Sequence, residues 1–190
     1  MDLKETEISA KQIFKGRIVD LSVRTVNLPN GVTTTREVVE HQPAAAVLAV
    51  NDQQKMLLVE QWREPIKQLT LEIPAGLVDA TDASPLDAMK RELNEEGGYR
   101  ADYWEKITEF YSSPGFSSEQ LHLFYCDTLT KLAEKRPLDD DEFLTSHWYD
   151  LAQLKQLFAQ GKIVDLKTLY AMSLWENMLL TGTDVKGKND

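Results

Sequence analysis

Residues 44–50 read Ala-Ala-Ala-Val-Leu-Ala-Val, seven positions without a polar side chain. A strand with one wet face alternates polar and apolar residues, so an unbroken apolar run predicts a central strand covered on both sides. The flanking segments agree. Residues 13–40 alternate in short runs around Leu28-Pro29-Asn30-Gly31, a turn signal, and predict a hairpin-rich antiparallel sheet within residues 1–42. After the apolar run, Asn51-Asp52-Gln53-Gln54 turns the chain into a strand at 55–62, and an extended segment at 68–73 runs into Pro74-Ala75-Gly76. Further strands are expected at 104–111, 121–129 and 143–149, and helices at 151–159, stopped by Gly161, and at 166–180, capped by Asp165. Strands interrupted by one internal helix and finished by helices predict an α/β or α+β layered domain over 43–180, with a disordered polar tail at 181–190.

With 190 residues, 42% of them apolar, the chain can bury one sizeable core or at most two small ones. Its 31 acidic residues outnumber 21 Lys and Arg, for a net charge of −10, which excludes non-specific nucleic-acid binding. A small anionic substrate remains allowed, because bound divalent cations invert the local charge. The single cysteine, Cys126, leaves no intrachain disulfide and no Cys-rich zinc site; within its apolar run it reads as a buried thiol. No apolar stretch approaches the ~20 residues that cross a bilayer. The start, Met1-Asp2-Leu3-Lys4-Glu5, lacks the basic-then-apolar order of a secretory signal. A cytoplasmic protein without membrane or nucleic-acid partners is expected. No Gly-x-x-x-x-Gly-Lys-Ser/Thr loop and no His-Glu-x-x-His occurs, and His41, His122 and His147 read as ordinary polar or interface residues.

The internal helix carries the chemistry. Ser84 is its predicted N-cap, Pro85 its first residue, Asp87 stands three after the cap, and Gly97-Gly98 stops it. At ~100° per residue, Leu86, Met89 and Leu93 form an apolar stripe, while Glu92, Glu95 and Glu96 gather on a neighbouring face. Crowded like charges near a helix C-terminus destabilise it, so something positive must compensate. The spacing alone is compatible with a solvent-screened acidic face. Two flanking features favour a site for hard divalent cations, Mg²⁺ or Mn²⁺. A backbone carbonyl in the 71–76 segment can point at the helix, with Gly76 permitting close approach, and Arg91 can fork onto a carboxylate.

These residues resemble the Nudix box, G-x5-E-x7-R-E-U-x-E-E-x-G-U, with U a bulky apolar residue. Arg91-Glu92-Leu93-Asn94-Glu95-Glu96-Gly97-Gly98-Tyr99 fits the second half without a gap. The first half departs: Gly76 precedes Arg91 by one residue too many, and Asp82 or Ala83 replaces the expected Glu, as if one loop residue were inserted. Ser113-Pro114-Gly115-Phe116, with Pro114 sixteen residues past Gly98, resembles the marker of the ADP-ribose pyrophosphatase branch. Segments 36–41, 59–63 and 71–76 are similar to that branch as well, so the likeness runs from about residue 13 to about 180.

The resemblance implies a Nudix α/β/α sandwich with a mixed sheet, and Mg²⁺-dependent (or Mn²⁺-dependent) cleavage of ADP-ribose to AMP and ribose 5-phosphate. The alternatives are another nucleoside diphosphate sugar, such as a GDP- or UDP-hexose, and a non-catalytic ligand-binding module of the same fold. It makes Glu92 and Glu96 metal ligands, Ala75 the carbonyl ligand, and Glu95 a third ligand, an orienting partner or a competing general base. Glu119, in the loop 113–120 expected to face the acidic helix across a cleft, is the leading base. Arg63 and Arg36 can hold phosphate or make surface pairs; Glu72 can accept from ribose hydroxyls or face solvent; Trp62 can stack on a ring or join the core. Arg17 and Ile18 match the region through which such enzymes reach the adenine of the other subunit, which implies a homodimer with exchanged or tightly packed N-terminal sheets.

Overall fold

A computed structural model describes residues 2–184. The chain forms two compact units, Met1–Pro43 with Phe110–Leu121, and Ala44–Glu109 with His122–Asp190. Residues 185–190 of the expected tail lie outside the described residues. Its first position, Thr181, instead closes the last helix, where Gly182 (φ 64°) takes the left-handed cap conformation.

In the first unit β1 (Thr6–Lys15), β2 (Asp20–Asn27) and β3 (Thr33–Glu40) form an antiparallel meander. The Pro29-Asn30-Gly31 turn closes β2–β3 as its chemistry requires: Gly31 sits at φ 83° and donates to the Leu28 carbonyl at 2.9 Å. Every residue of β1 is exposed, including Ile8, Ile13 and Phe14.

In the second unit all six residues of β4 (Ala44–Ala49) are buried. Ala45, Val47 and Ala49 face a cluster holding Leu57, Met89, Leu93, Phe124 and Cys126. By the two-residue period Ala46 and Leu48 face the opposite side, and they are equally closed. Burial raises the Cys126 thiol pKa far above its ordinary value, as an inert structural cysteine requires. One sheet has the order β7-β4-β9-β8, with β7 at Ala75–Leu77, β8 at Tyr99–Tyr111 and β9 at Gln120–Lys131. The other has the order β10-β5-β6, with β5 at Met56–Arg63, β6 at Gln68–Glu72 and β10 at Leu144–Tyr149. Trp62, near the end of β5, does not join the core: it is 52% exposed and donates from Nε1 to Glu64 at 2.8 Å.

Helix α1 (Pro85–Glu92) starts as its sequence dictates. The Ser84 hydroxyl accepts from the Asp87 N–H at 3.2 Å and donates to the Asp87 carboxylate at 2.7 Å. It does not continue as a regular α-helix. Over Leu93–Gly97 the backbone widens to π geometry before Gly98 (φ 74°) ends it. A uniform 100° step therefore misplaces the last turn, where Glu95 and Glu96 stand. Helices α2 (Leu151–Ala159) and α3 (Leu166–Thr181) complete the unit, α2 behind a capping box of Asp150 and Gln153. No helix among the described residues is long and apolar enough to cross a membrane.

Candidate active site

The register of β7 against β4 pairs Gly76 with Ala45 and Ala75 with Ala46, beside the helix that carries the glutamates. Glu92 lies against Gly76 so closely that a Cβ there would stand 2.0 Å from Glu92 Oε1. Glu96 is only 3% exposed, and its Oε2 accepts from the Ala75 N–H at 3.0 Å. The solvent-screened acidic face therefore does not describe Glu92 and Glu96, which are both closed off from water.

Arg91 supplies the compensating charge. Its Nη1 donates to Glu92 Oε1 at 2.7 Å and to Glu95 Oε2 at 3.0 Å, and Nη2 reaches the Leu77 carbonyl at 3.2 Å and Asp82 at 3.0 Å. A single guanidinium thus ties the acidic turn to the preceding loop. Asp82, the residue standing where the box has Glu, accepts from both Nε and Nη2 of Arg91.

Burial, reinforced by the neighbouring Glu95, pushes the Glu92 carboxyl up to about 7 despite Arg91. Burial and the adjacent Glu92 charge push Glu96 well above the usual carboxylate range. Two enclosed carboxylates, each made harder to ionise, form an all-oxygen donor set whose strain a divalent cation relieves. The residues present fit such an ion. Among the described residues no three acidic, His or Cys side chains already form a cation cage; Glu95 is engaged by Arg91 at 3.0 Å.

Arg63 ends β5 opposite Gln68 of β6. Its Nε and Nη2 donate to the two oxygens of Glu72, each at 2.6 Å, and Glu72 also accepts from Thr70 Oγ1 at 2.6 Å and Lys167 Nζ at 2.5 Å. Burial works to raise the Glu72 pKa, but Arg63 and Lys167 outweigh it and hold the carboxyl near 2. Glu72 is 2% exposed, so it is not the solvent-facing strand residue that was one reading of it. Its lone pairs are directed at protein donors, not left open to ribose hydroxyls. The Glu72 hydrogen bond, then the Glu72, Asp165 and Glu96 charges, raise the Arg63 pKa.

The first unit carries the remaining candidates. Glu119 accepts from the Ser112 hydroxyl and lies 3.7 Å from His41 Nδ1. Its loop is pinned to β3: Val39 N–H donates to the Phe116 carbonyl at 2.8 Å, and Ser118 N–H to the Val39 carbonyl at 3.0 Å. Arg36 is engaged by Glu5, with Nη2 donating at 2.6 Å and Nε at 3.1 Å, which is its surface-pair reading. Arg17 and Ile18 stand exposed in the β1–β2 connection.

Sequence reasoning missed Lys167, Thr70 and the tie between Ser112 and Glu119. Lys167 lies 95 residues from Glu72, and no local period joins them. The Ser112 tie spans only seven residues and was open to recognition as a loop closure.

Comparison with known proteins bears on these residues. A NUDIX domain profile matches residues 40–169. The chain is 44% identical over 170 residues to an ADP-ribose pyrophosphatase of Bacillus subtilis (strain 168), covering 90% of this chain and 91% of that protein. It is 39% identical over 169 residues to a methanol dehydrogenase activator of Bacillus methanolicus, covering 89% and 91%. Among solved structures, that of an ADP compounds hydrolase superposes with a TM-score of 0.83 over 96% of this chain and 97% of the other, at 19% identity, and so shares the fold.

Proposed function

The chain belongs to the NUDIX family, and from that premise we propose that it is a divalent-cation-dependent pyrophosphohydrolase cleaving ADP-ribose to AMP and ribose 5-phosphate. The observation that carries this reading is the enclosure of Glu92 and Glu96 beside Gly76, in a chain 44% identical to an ADP-ribose pyrophosphatase.

Glu92, Glu96 and the Ala75 carbonyl would hold Mg²⁺ or Mn²⁺, with Glu95 a further ligand or, as its bond to Arg91 favours, an orienting partner. When bound, the cation supplies charge neutralisation at the diphosphate and acidifies a bound water. Arg91 holds Glu92 and Glu95 in place, so little reorganisation accompanies reaction. Arg63, whose Nε–Nη2 edge is committed to Glu72, retains Nη1 to donate to a substrate phosphate. Glu119 accepts the proton of the attacking water, with Ser112 setting its orientation; Glu95 is the competing base. In this role Glu72 acts on Arg63 and not on the ribose.

Arg17 and Ile18 are assigned to the adenine side of a homodimeric site, and Arg36 to a phosphate contact from the N-terminal sheet. The wholly exposed β1, with Ile8, Ile13 and Phe14 open, supports burial against a second copy of the chain. The buried lone Cys126 and the net charge of −10 favour a cytoplasmic setting without nucleic acid or membrane.

Purified protein supplied with ADP-ribose and Mg²⁺ should release AMP, and in a panel at equal concentration should prefer ADP-ribose to UDP- and GDP-hexoses. Hydrolysis of those sugars but not of ADP-ribose rejects the substrate. Glu96→Gln should abolish turnover, which separates a hydrolase from a ligand-binding module.

A further inference from the structure

Lys167 occupies a position that works against it twice. It stands in the first turn of α3, where the helix dipole disfavours a cation, and its side chain is 11% exposed, which costs hydration. Its ammonium meets Glu72 Oε2 at 2.5 Å and Asp165 Oδ1 at 3.0 Å. The same turn is anchored to the end of β6, because Thr168 Oγ1 accepts from the Ile73 N–H at 2.9 Å and donates to Asp165 Oδ2 at 2.6 Å.

An ionised carboxylate offers about four lone-pair directions, and four donors address Glu72: Arg63 Nε and Thr70 Oγ1 on Oε1, Arg63 Nη2 and Lys167 Nζ on Oε2. Held on both oxygens from three sides, the carboxylate has no freedom to pivot. The guanidinium bound to it is fixed in plane, although the Arg63 side chain is 42% exposed. Without the lysine, Oε2 has only the arginine, and the pair can swing together about the Thr70 contact.

We propose that Lys167 is a positioning residue for substrate binding: through Glu72 it holds the Arg63 guanidinium in the orientation in which Nη1 meets a phosphate of the diphosphate substrate. This rests on Arg63 being a phosphate contact.

The test is steady-state hydrolysis of ADP-ribose with Mg²⁺ by the full chain, comparing wild type, Lys167→Met, Lys167→Arg, Arg63→Met and the Lys167→Met/Arg63→Met double variant, with thermal melts alongside. Lys167→Met should raise KM about tenfold with kcat changed less than about threefold, as expected for a misplaced binding group. Lys167→Arg should recover most of the loss. In the Arg63→Met background Lys167→Met should add less than about twofold, because the group it positions is gone. The proposal is overturned if Arg63→Met raises KM while Lys167→Met leaves it unchanged, whatever happens to the melting temperature. It is equally overturned if the two penalties multiply in full. If Arg63→Met itself leaves KM unchanged, the assignment of Arg63 to phosphate is what fails, and the positioning role falls with it. Should Lys167→Met not fold, Lys167→Gln enters the same cycle with the same expected and overturning outcomes.

Discussion

An alanine at position 76 would place its Cβ 2.0 Å from Glu92 Oε1 and 2.2 Å from the carboxyl carbon. Ordinary contact begins near 3.4 Å, so the carboxylate must retreat by about 1.4 Å. The backbone does not resist the change, since Gly76 is not among the residues with positive φ and sits in a short strand paired with Ala45. Nor does the core lose volume. The displacement falls on the Glu92 carboxylate and on its 2.7 Å bond from Arg91. A misplacement on the order of 1 Å at a reacting centre costs roughly 10²-fold. Gly76→Ala should therefore lower kcat/KM for ADP-ribose by about two orders of magnitude and weaken Mg²⁺ binding in calorimetry. The loss in unfolding free energy should stay within about 1 kcal/mol. A variant with near-wild-type turnover and Mg²⁺ affinity would refute the reasoning, because Glu92 would then have no need of the space that glycine leaves.

Three further outcomes follow from the same geometry. Glu72 titrates near 2 instead of 4.5, a depressed value that stabilises the native state by about 3 kcal/mol at neutral pH. That contribution is complete above about pH 4.5 and fades as pH falls toward 2; an NMR titration of the Glu72 side-chain carbon with a midpoint at 4 or higher would contradict it. Leu93→Ala empties a fully buried position beneath the acidic turn and should cost about 2–5 kcal/mol in urea unfolding. Asp82→Ala removes two hydrogen bonds to Arg91 and one from the Asp79 N–H. It should lower kcat/KM about tenfold; unchanged kinetics would mean that the loop does not help to hold Arg91.

Features set by neighbours in the chain were legible before any coordinates. The apolar run at 44–50 emerged as the doubly covered strand β4, the Ser84-Pro85 start and Gly98 stop bounded the acidic helix, and Asp165 capped the last one. Each depends on side chains within a few residues of the backbone they satisfy. The π turn at Leu93–Gly97 escaped this reading, because a periodicity argument assumes one pitch throughout. Trp62 misled for a related reason: an aromatic in an apolar strand reads as core, but near the strand's end it is left beside Glu64 in water.

By itself, then, the order of residues determined where most of the strands and helices lie and that three glutamates and an arginine share one short stretch of helix, but not every boundary, since β8 begins at Tyr99, five residues before the strand expected from 104. Only tertiary structure decided what those charges experience. Glu92 and Glu96 titrate abnormally because β7 and the core exclude water from them. Glu72 titrates in the opposite direction because a lysine 95 residues away and an arginine on the adjacent strand converge on it. Desolvation and Coulomb attraction depend on distance through space and on the surrounding dielectric, and neither is written in the spacing of letters along a chain.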